Sequence, residues 1–344
     1  MIKTIAEKDE WDSLIAEFSE YDSYHTYDYH HISSLKDETP VLLKYTEDNI
    51  VIAIPLLVRN IKGTSYKDAT SAYGYCGPIS KGITRTFDNT QFVETLKKHL
   101  LNNNIISVFA RLNPYISKQK VILDGLVELF PLGKVVNINL NLDHIIQRQK
   151  YHRRLKNHAN KSRRNCDIIK ADNEELIEKF ASIYKENMIR VNAKKMYFFN
   201  KEYFLKLFKS KSFKTEILLA TEKETNSIIS GAVFLKSNNI VQYHLSGTKN
   251  EFLHLMPTKL LIDEMRVKAT IDGFKIFNLG GGLGANENDT LFKFKSSFSD
   301  DYHQFLIWKL ITNPKVYNDM CVKNKIKKID SQFFPLYRLK EYNS

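Results

Sequence analysis

Cysteine is scarce: the chain has three, Cys76, Cys166 and Cys321, an odd number with no CxxC spacing. That excludes a disulfide framework and a cysteine zinc site, and it fits a reducing cytoplasm. Also missing is any apolar run near the roughly 20 residues that a bilayer span requires. The opening MIKTIAEKDEWDSL carries charges where a secretory leader needs an apolar stretch. A soluble, cytoplasmic protein is expected, with at most peripheral membrane contact. HExxH, the GxSxG elbow, the phosphate loop and the dinucleotide fingerprint are all absent. His25, His30 and His31 sit together in YHTYDYHH, but no cysteine or carboxylate cluster stands at ligand spacing, so no metal is expected.

What is present describes a folded chain. Its 344 residues suit two domains of ordinary size, and 43% hydrophobic with 12% aromatic content excludes a mainly disordered protein. Lys plus Arg total 51 against 39 Asp plus Glu, for a net +12. Such an excess suits a nucleotide, a nucleotide-linked sugar, RNA or a membrane surface, and competes with a merely solvated basic exterior.

Along the chain, Trp11, Leu14, Ile15 and Phe18 take helical spacing over 6–20. VLLKY (41–45) and IVIAIPLLV (50–58) flank a polar turn and read as a hairpin, with Pro55 suggesting a bulge or an edge position. A helix over 91–104 and strands over 105–112 and 134–142 follow. From Lys150 to Asn165 seven Lys or Arg appear and no acid, and the domain boundary is placed just before, giving 1–145 and 146–344. The second half then offers helix 173–190, strands 215–220, 228–236 and 240–247, helix 258–272 and strand 274–279. Each half therefore reads as a mixed, mostly antiparallel sheet flanked by helices, an α/β (α+β) arrangement repeated twice by element order alone.

Four stretches bear on chemistry. Strand 240–247 runs into Ser246-Gly247-Thr248, a loop, and a helix opened by Pro257-Thr258. Such a junction aims backbone N–H groups at a phosphate or developing oxyanion, or is simply a connection. Gly280, Gly281, Gly282 and Gly284 permit a sharp turn or close ligand approach. LFKFKSSF follows, where alternation would part Phe292, Phe294 and Phe298 from Lys293 and Lys295. YKDATSAYGYCGPI (66–79) reads as an aromatic loop suited to a sugar or peptide, or as a packed Ω-loop. The helical run 150–165 puts Tyr151, Leu155 and Ala159 on a narrow apolar stripe and Arg153, Asn157, Asn160 and Arg164 on another face. That face could grip phosphates or merely face solvent.

In this order, HTYDYHHI, IPLLVRNIKG with YKDATSAYGYCGPI, HRRLKNHANKSRRN, IYKENMIRVNAKKMYFF, HLSGT…PTKLL, LGGG…LFKFKSSFS and FFPLYR resemble the Fem-type aminoacyltransferases. They also resemble the related GNAT acyltransferases of envelope-glycan pathways. The long coiled-coil arm of some members is missing, and Cys76 stands where glycine is common. The resemblance implies two GNAT-like domains with an interdomain cleft, the acceptor on the first and the donor at the second. It assigns Lys295 to the reacting centre. Ser246, Gly247, Thr248, Pro257, Thr258, Gly281 and Gly282 go to the donor, and Tyr73, Tyr75, Arg190 and Asn192 to the acceptor substrate.

The implied chemistry is attack of an amine on an activated acyl carbonyl without a covalent enzyme intermediate. Lys295 and backbone N–H groups would stabilise the oxyanion, with Asp68, Tyr243 and His244 as candidate bases. No permanently bound cofactor is expected. The co-substrate is aminoacyl-tRNA, with a peptidoglycan precursor or other nucleotide-linked sugar as acceptor. The alternative is acyl-CoA acylating an amino sugar of a capsule or O-antigen precursor, and a third reading is a non-catalytic nucleic-acid-binding protein. DNA is not expected as a partner.

Overall fold

The hairpin expected from the two apolar runs is present in the computed structural model, which describes residues 1–126, 129–326 and 333–340. Strands Glu38–Glu47 and Ile50–Asn60 pair from Glu47↔Ile50 to Glu38↔Arg59, closed by a two-residue turn in which Asp48 takes a positive φ of 47°. Pro55 needs neither bulge nor edge. It pairs opposite Leu42 on one side. On the other, one neighbouring strand contacts 51–53 and another 57–60, so Pro55 falls in the gap where no donor is required.

The chain divides into two units, residues 1–132 with 305–344, and residues 133–304. The expected boundary at 145/146 thus lies later than the observed one, and 305–344 belong with the first unit. The reason is strand pairing: Ile307–Ile311 lie antiparallel to Ser107–Arg111, extending the first unit's sheet with a strand from the far end of the sequence. In that unit Ile2–Ile5, Glu38–Glu47, Ile50–Asn60, Lys67–Thr70, Ile105–Arg111 and the 305–311 segment lie side by side. Ile79–Lys81 adds onto Ile50–Asn60. Helix Thr90–Asn102 closes the core through Phe92, Leu96 and Leu100.

In the second unit, residues 133–139 lead a sheet that continues through Ile276–Gly280, Ile240–Thr248, Ile228–Ser237, Lys214–Glu222 and Cys166–Lys170. Alternation divides its two faces. Ala232 and Phe234 join Leu261, Met265 and Ala269 of helix Pro257–Ile271 in one core, while Gly231 meets Phe180 of helix Glu174–Arg190 on the other face. The stripe Leu261, Met265, Ala269 is fully buried, as its spacing requires. Leu155 and Ala159 of helix Arg153–Asn165 are likewise buried, as is Tyr151 just before it. Between the helices Asp263 is a buried anion holding Arg266 at 2.9 Å, Arg148 at 2.6 Å, Arg163 at 3.1 Å and the Tyr151 hydroxyl at 2.9 Å.

LFKFKSSF departs from its expected alternation. It is a helix, Thr290–Ser296, capped by the Asp289 carboxylate, which accepts from the N–H groups of Leu291 and Phe292. Phe292 and Lys295 stand three apart and both turn inward; Lys293 is exposed. The cap residue decides the period over a segment this short.

Candidate active site

The parallel strands Ile240–Thr248 and Ile276–Gly280 pair only from Ile240↔Ile276 to Gln242↔Asn278. At the last rung Asn278 Nδ2 donates to Gln242 Oε1 at 2.8 Å, and beyond it pairing ends. Each strand then follows another neighbour. Gly280 pairs with Val136 after a register shift, while Gly247 lets its strand press onto helix Glu174–Arg190. A Cβ at Gly247 would stand 2.9 Å from Tyr184 Cα. A bulge opposite Val233 and Phe234 leaves His244 as the extra residue, so the alternation of side chains breaks where the pairing stops.

At this parting sits Lys295. Its side chain is buried and donates to the Gly281 carbonyl at 2.7 Å, and its Nζ lies 5.9 Å from the centroid of the Tyr243 ring. Gly280 takes a φ of +77°, which favours glycine, and a Cβ there would come within 3.1 Å of the Lys295 amine. Burial lowers the Lys295 pKa to about 7, opposed by the negative charge of Asp289. Tyr243 is pushed up to about 12 by burial and shares a hydrogen bond with Ser246 Oγ, so it remains a phenol donor. The arrangement therefore holds an amine that titrates near neutrality beside a phenol, a serine hydroxyl and a glycine turn. These groups can exchange a proton with an amine nucleophile and bond a carbonyl oxygen as it gains charge.

Other expected site residues take different roles. His244 is buried and hydrogen-bonded to the Tyr203 hydroxyl at 2.8 Å, and burial lowers its pKa to about 3. It is a neutral ring at ordinary pH, ill matched to a general base. Thr248 and Thr258 join hydroxyls at 2.9 Å, with Ser230 bonded to Thr248 at 2.8 Å, fastening the first turn of helix Pro257–Ile271 to the strand end. Pro257 is buried as the first residue of that helix. Gly282 is explained by packing, because a Cβ would meet Phe292 Cβ at 2.8 Å. Arg190 is exposed and bonds Asn187. Asn192 has φ +48° and caps the helix: its N–H reaches Ile189 O and that of Ala193 reaches Met188 O, a helix-closing pattern that explains the asparagine without a ligand.

The remaining three belong to the first unit. Asp68 is wholly buried on strand Lys67–Thr70, not on a loop, and its carboxylate is saturated. Arg59 Nε donates at 2.6 Å, the Tyr337 hydroxyl at 3.0 Å, and Arg338 Nε also donates. It is a structural anion rather than a proton acceptor. Tyr73 has an exposed ring while its carbonyl accepts from Tyr29; Tyr75 stacks edgewise on Phe305 at 5.1 Å. Cys76 is buried, its thiol donating to the Tyr24 carbonyl at 3.2 Å and held far from the thiolate form by burial. The buried His25 and His30 are neutral rings too, lowered to about 4 and about 3 by burial. Among the described residues no group of three or more His, Cys, Asp or Glu is placed to hold a metal, and no helix is long and apolar enough to cross a membrane.

Sequence reasoning missed Asn278 and Gln242. It also missed four basic groups near the start of helix Pro257–Ile271: Arg154, His158, Lys161 and Lys259. The first three stand at i, i+4 and i+7, a helical spacing visible in the sequence.

Residues 146–304 match the model of the FemAB family. Solved structures with this fold include FemX, 12% identical with a TM-score of 0.71, covering 92% of this chain and 99% of that one. L-PGS from Bacillus licheniformis is 11% identical with a TM-score of 0.58, covering 93% and 97%. A tandem GNAT protein from the clavulanic acid biosynthesis pathway is 9% identical with a TM-score of 0.51, covering 91% and 99%. No curated protein matches the sequence.

Proposed function

We propose that this chain, an acyltransferase of the Fem/GNAT type, moves an aminoacyl group from aminoacyl-tRNA to an amine of a peptidoglycan-type, nucleotide-linked precursor. The observation that carries the reading is Lys295, a buried lysine with its pKa lowered to about 7 where two parallel strands part. An acceptor ammonium must lose a proton before it attacks the ester carbonyl. The neutral Lys295 amine takes that proton and becomes an ammonium as the carbonyl oxygen acquires charge. One group then serves both needs: base first, counter-charge second. Tyr243 and Ser246 supply further donors. Collapse of the tetrahedral intermediate expels the ribose oxygen of the tRNA, which takes a proton back.

The FemAB match lies over the unit that contains Lys295, which supports an aminoacyl donor. One observation favours acyl-CoA instead: strands that part leave backbone groups able to bond an extended, amide-bearing chain. Mass spectrometry of the acceptor decides between them. The protein is incubated with a nucleotide-linked peptide–sugar precursor and either charged tRNA or acetyl-CoA. The expected outcome is a gain of one aminoacyl residue with charged tRNA only; acyl gain from acetyl-CoA alone would replace the first reading with the second.

A further inference from the structure

A rung of polar side chains crosses the sheet of the second unit at the place where the two parallel strands part. Gln242 lies opposite Asn278, and Asn278 opposite Asn137. The rung continues onto the strand that begins at Asp301, the next neighbour of residues 133–139. Asn137 Nδ2 donates to Asp301 Oδ2 at 2.7 Å, and His303 Nε2 stands 3.2 Å from Asp301 Oδ1. Val241, Phe277 and Ile138 belong to the core that contains Leu261 and Met265, so alternation puts the rung on the opposite face of the sheet.

Asn278 uses both ends of its amide: Nδ2 donates to Gln242 Oε1 at 2.8 Å, and Oδ1 accepts the Gly280 N–H at 2.9 Å. Asn137 does not. Its orientation is fixed by Asp301, because only Nδ2 can donate to a carboxylate, and Oδ1 is thereby turned away. Asn137 is 4% exposed, and among the described residues its Oδ1 has no hydrogen-bond partner. A buried carbonyl oxygen in that state costs free energy that a ligand N–H would recover. Asp301 beside it has capacity to spare, with a side chain 31% exposed. Its hydrogen bond with His303 outweighs partial burial and, with that from Asn137, holds the carboxyl below its usual range. An acceptor oxygen next to a carboxylate suits a cation that donates hydrogen bonds.

We propose that Asn137 and Asp301 bind an ammonium group of a substrate, Asn137 Oδ1 accepting its hydrogen bond and Asp301 balancing its charge. The inference rests on the aminoacyl-donor reading above and adds to it the feature that separates an aminoacyl group from a plain acyl group, the α-ammonium. The rung adjoins the reacting groups along both strands. Tyr243 follows Gln242, and Gly280, beside Lys295, comes two residues after Asn278. An α-amine titrates near about pH 8, so at neutral pH a fraction of it is free to attack an ester itself. A neighbouring carboxylate keeps it charged and leaves the attack to the acceptor amine. A second amine on the acceptor, away from the bond being formed, has the same chemistry and is the other source.

The test uses the full chain with Asn137→Leu and Asp301→Asn, and Asp300→Asn as a control at the exposed carboxylate next door. Single-turnover transfer is measured against acceptor concentration with three donors: alanyl-tRNA, the same tRNA carrying lactate in place of alanine, and acetyl-CoA. The wild type should favour alanyl over lactyl roughly tenfold. Both site variants should slow alanyl transfer by about that factor and leave lactyl transfer unchanged, erasing the preference, while the control keeps it. Variants that keep the preference but raise the acceptor KM with every donor identify the acceptor as the source and also support the site. Equal slowing of alanyl and lactyl at unchanged acceptor KM is a structural effect and overturns it, as do wild-type rates in both variants. If acetyl-CoA alone serves as donor, the donor reading falls and the acceptor KM decides the site: raised in both variants it stands, unchanged it falls. Without transfer from any donor, thermal shift with alaninamide against lactamide decides. A shift by alaninamide that both variants lose supports the site, and equal behaviour of the two amides overturns it.

Discussion

A lysine ammonium drawn out of water gives up hydration that one carbonyl, that of Gly281, replaces only in part, and the proton is released near neutrality. The stability consequence follows in sign. Below about pH 7 Lys295 is charged in both folded and unfolded chains, and the cost of burying that charge is fully present. Between about 7 and the ordinary lysine value of 10.5 the unfolded chain binds more protons, so stability rises with pH. Lys295→Met should therefore raise the melting temperature at pH 6, with a gain that shrinks toward pH 10; an equal change at both would contradict the buried-amine description. Asp68 matters through the partners it holds. Asp68→Ala strands two guanidiniums and should cost about 3 kcal/mol in urea unfolding, with activity per folded molecule kept; lost activity at unchanged stability would restore it as a base. Lys295 was singled out by the family resemblance, while the alternation expected of its segment gave way to a helix. The saturation of Asp68 was not, because its partner Arg338 lies 270 residues away in sequence.

Strand Ile240–Thr248 and the two helices flanking its sheet were readable because alternation and a 3.6-residue stripe seldom mislead over such lengths. Short elements were less so. Seven residues, Thr290–Ser296, fit either period until Asp289 is recognised as the cap, and Lys201–Lys209 and Cys166–Lys170 passed unnoticed as elements. Gly247 was assigned to the donor, yet close helix–strand packing explains it. Gly247→Ala would press a methyl group against the Tyr184 backbone and should cost roughly 1–3 kcal/mol in thermal or urea unfolding. A neutral effect would show that helix Glu174–Arg190 can yield, and would return Gly247 to the list of ligand contacts.

For the molecule as a whole, two mixed sheets with flanking helices were expected from element order, and the boundary was misjudged because strand partners distant in sequence leave no local sign. Residues 305–311 and the Tyr337–Arg338 pair complete the first unit from the far end. A chain ended at 304 should leave residues 1–132 open to limited proteolysis while 133–304 persist as a resistant fragment. Equal resistance of both parts would mean that the returning strand is dispensable. Function joins these scales at one lysine. The most direct measurement is single-turnover transfer from charged tRNA as a function of pH, in wild type and Lys295→Met. The account predicts a rate that rises with an apparent pKa near 7 in the wild type, and in the variant a rate lower by about 10²-fold or more without that inflection. A variant with the wild-type rate and the same inflection would contradict it.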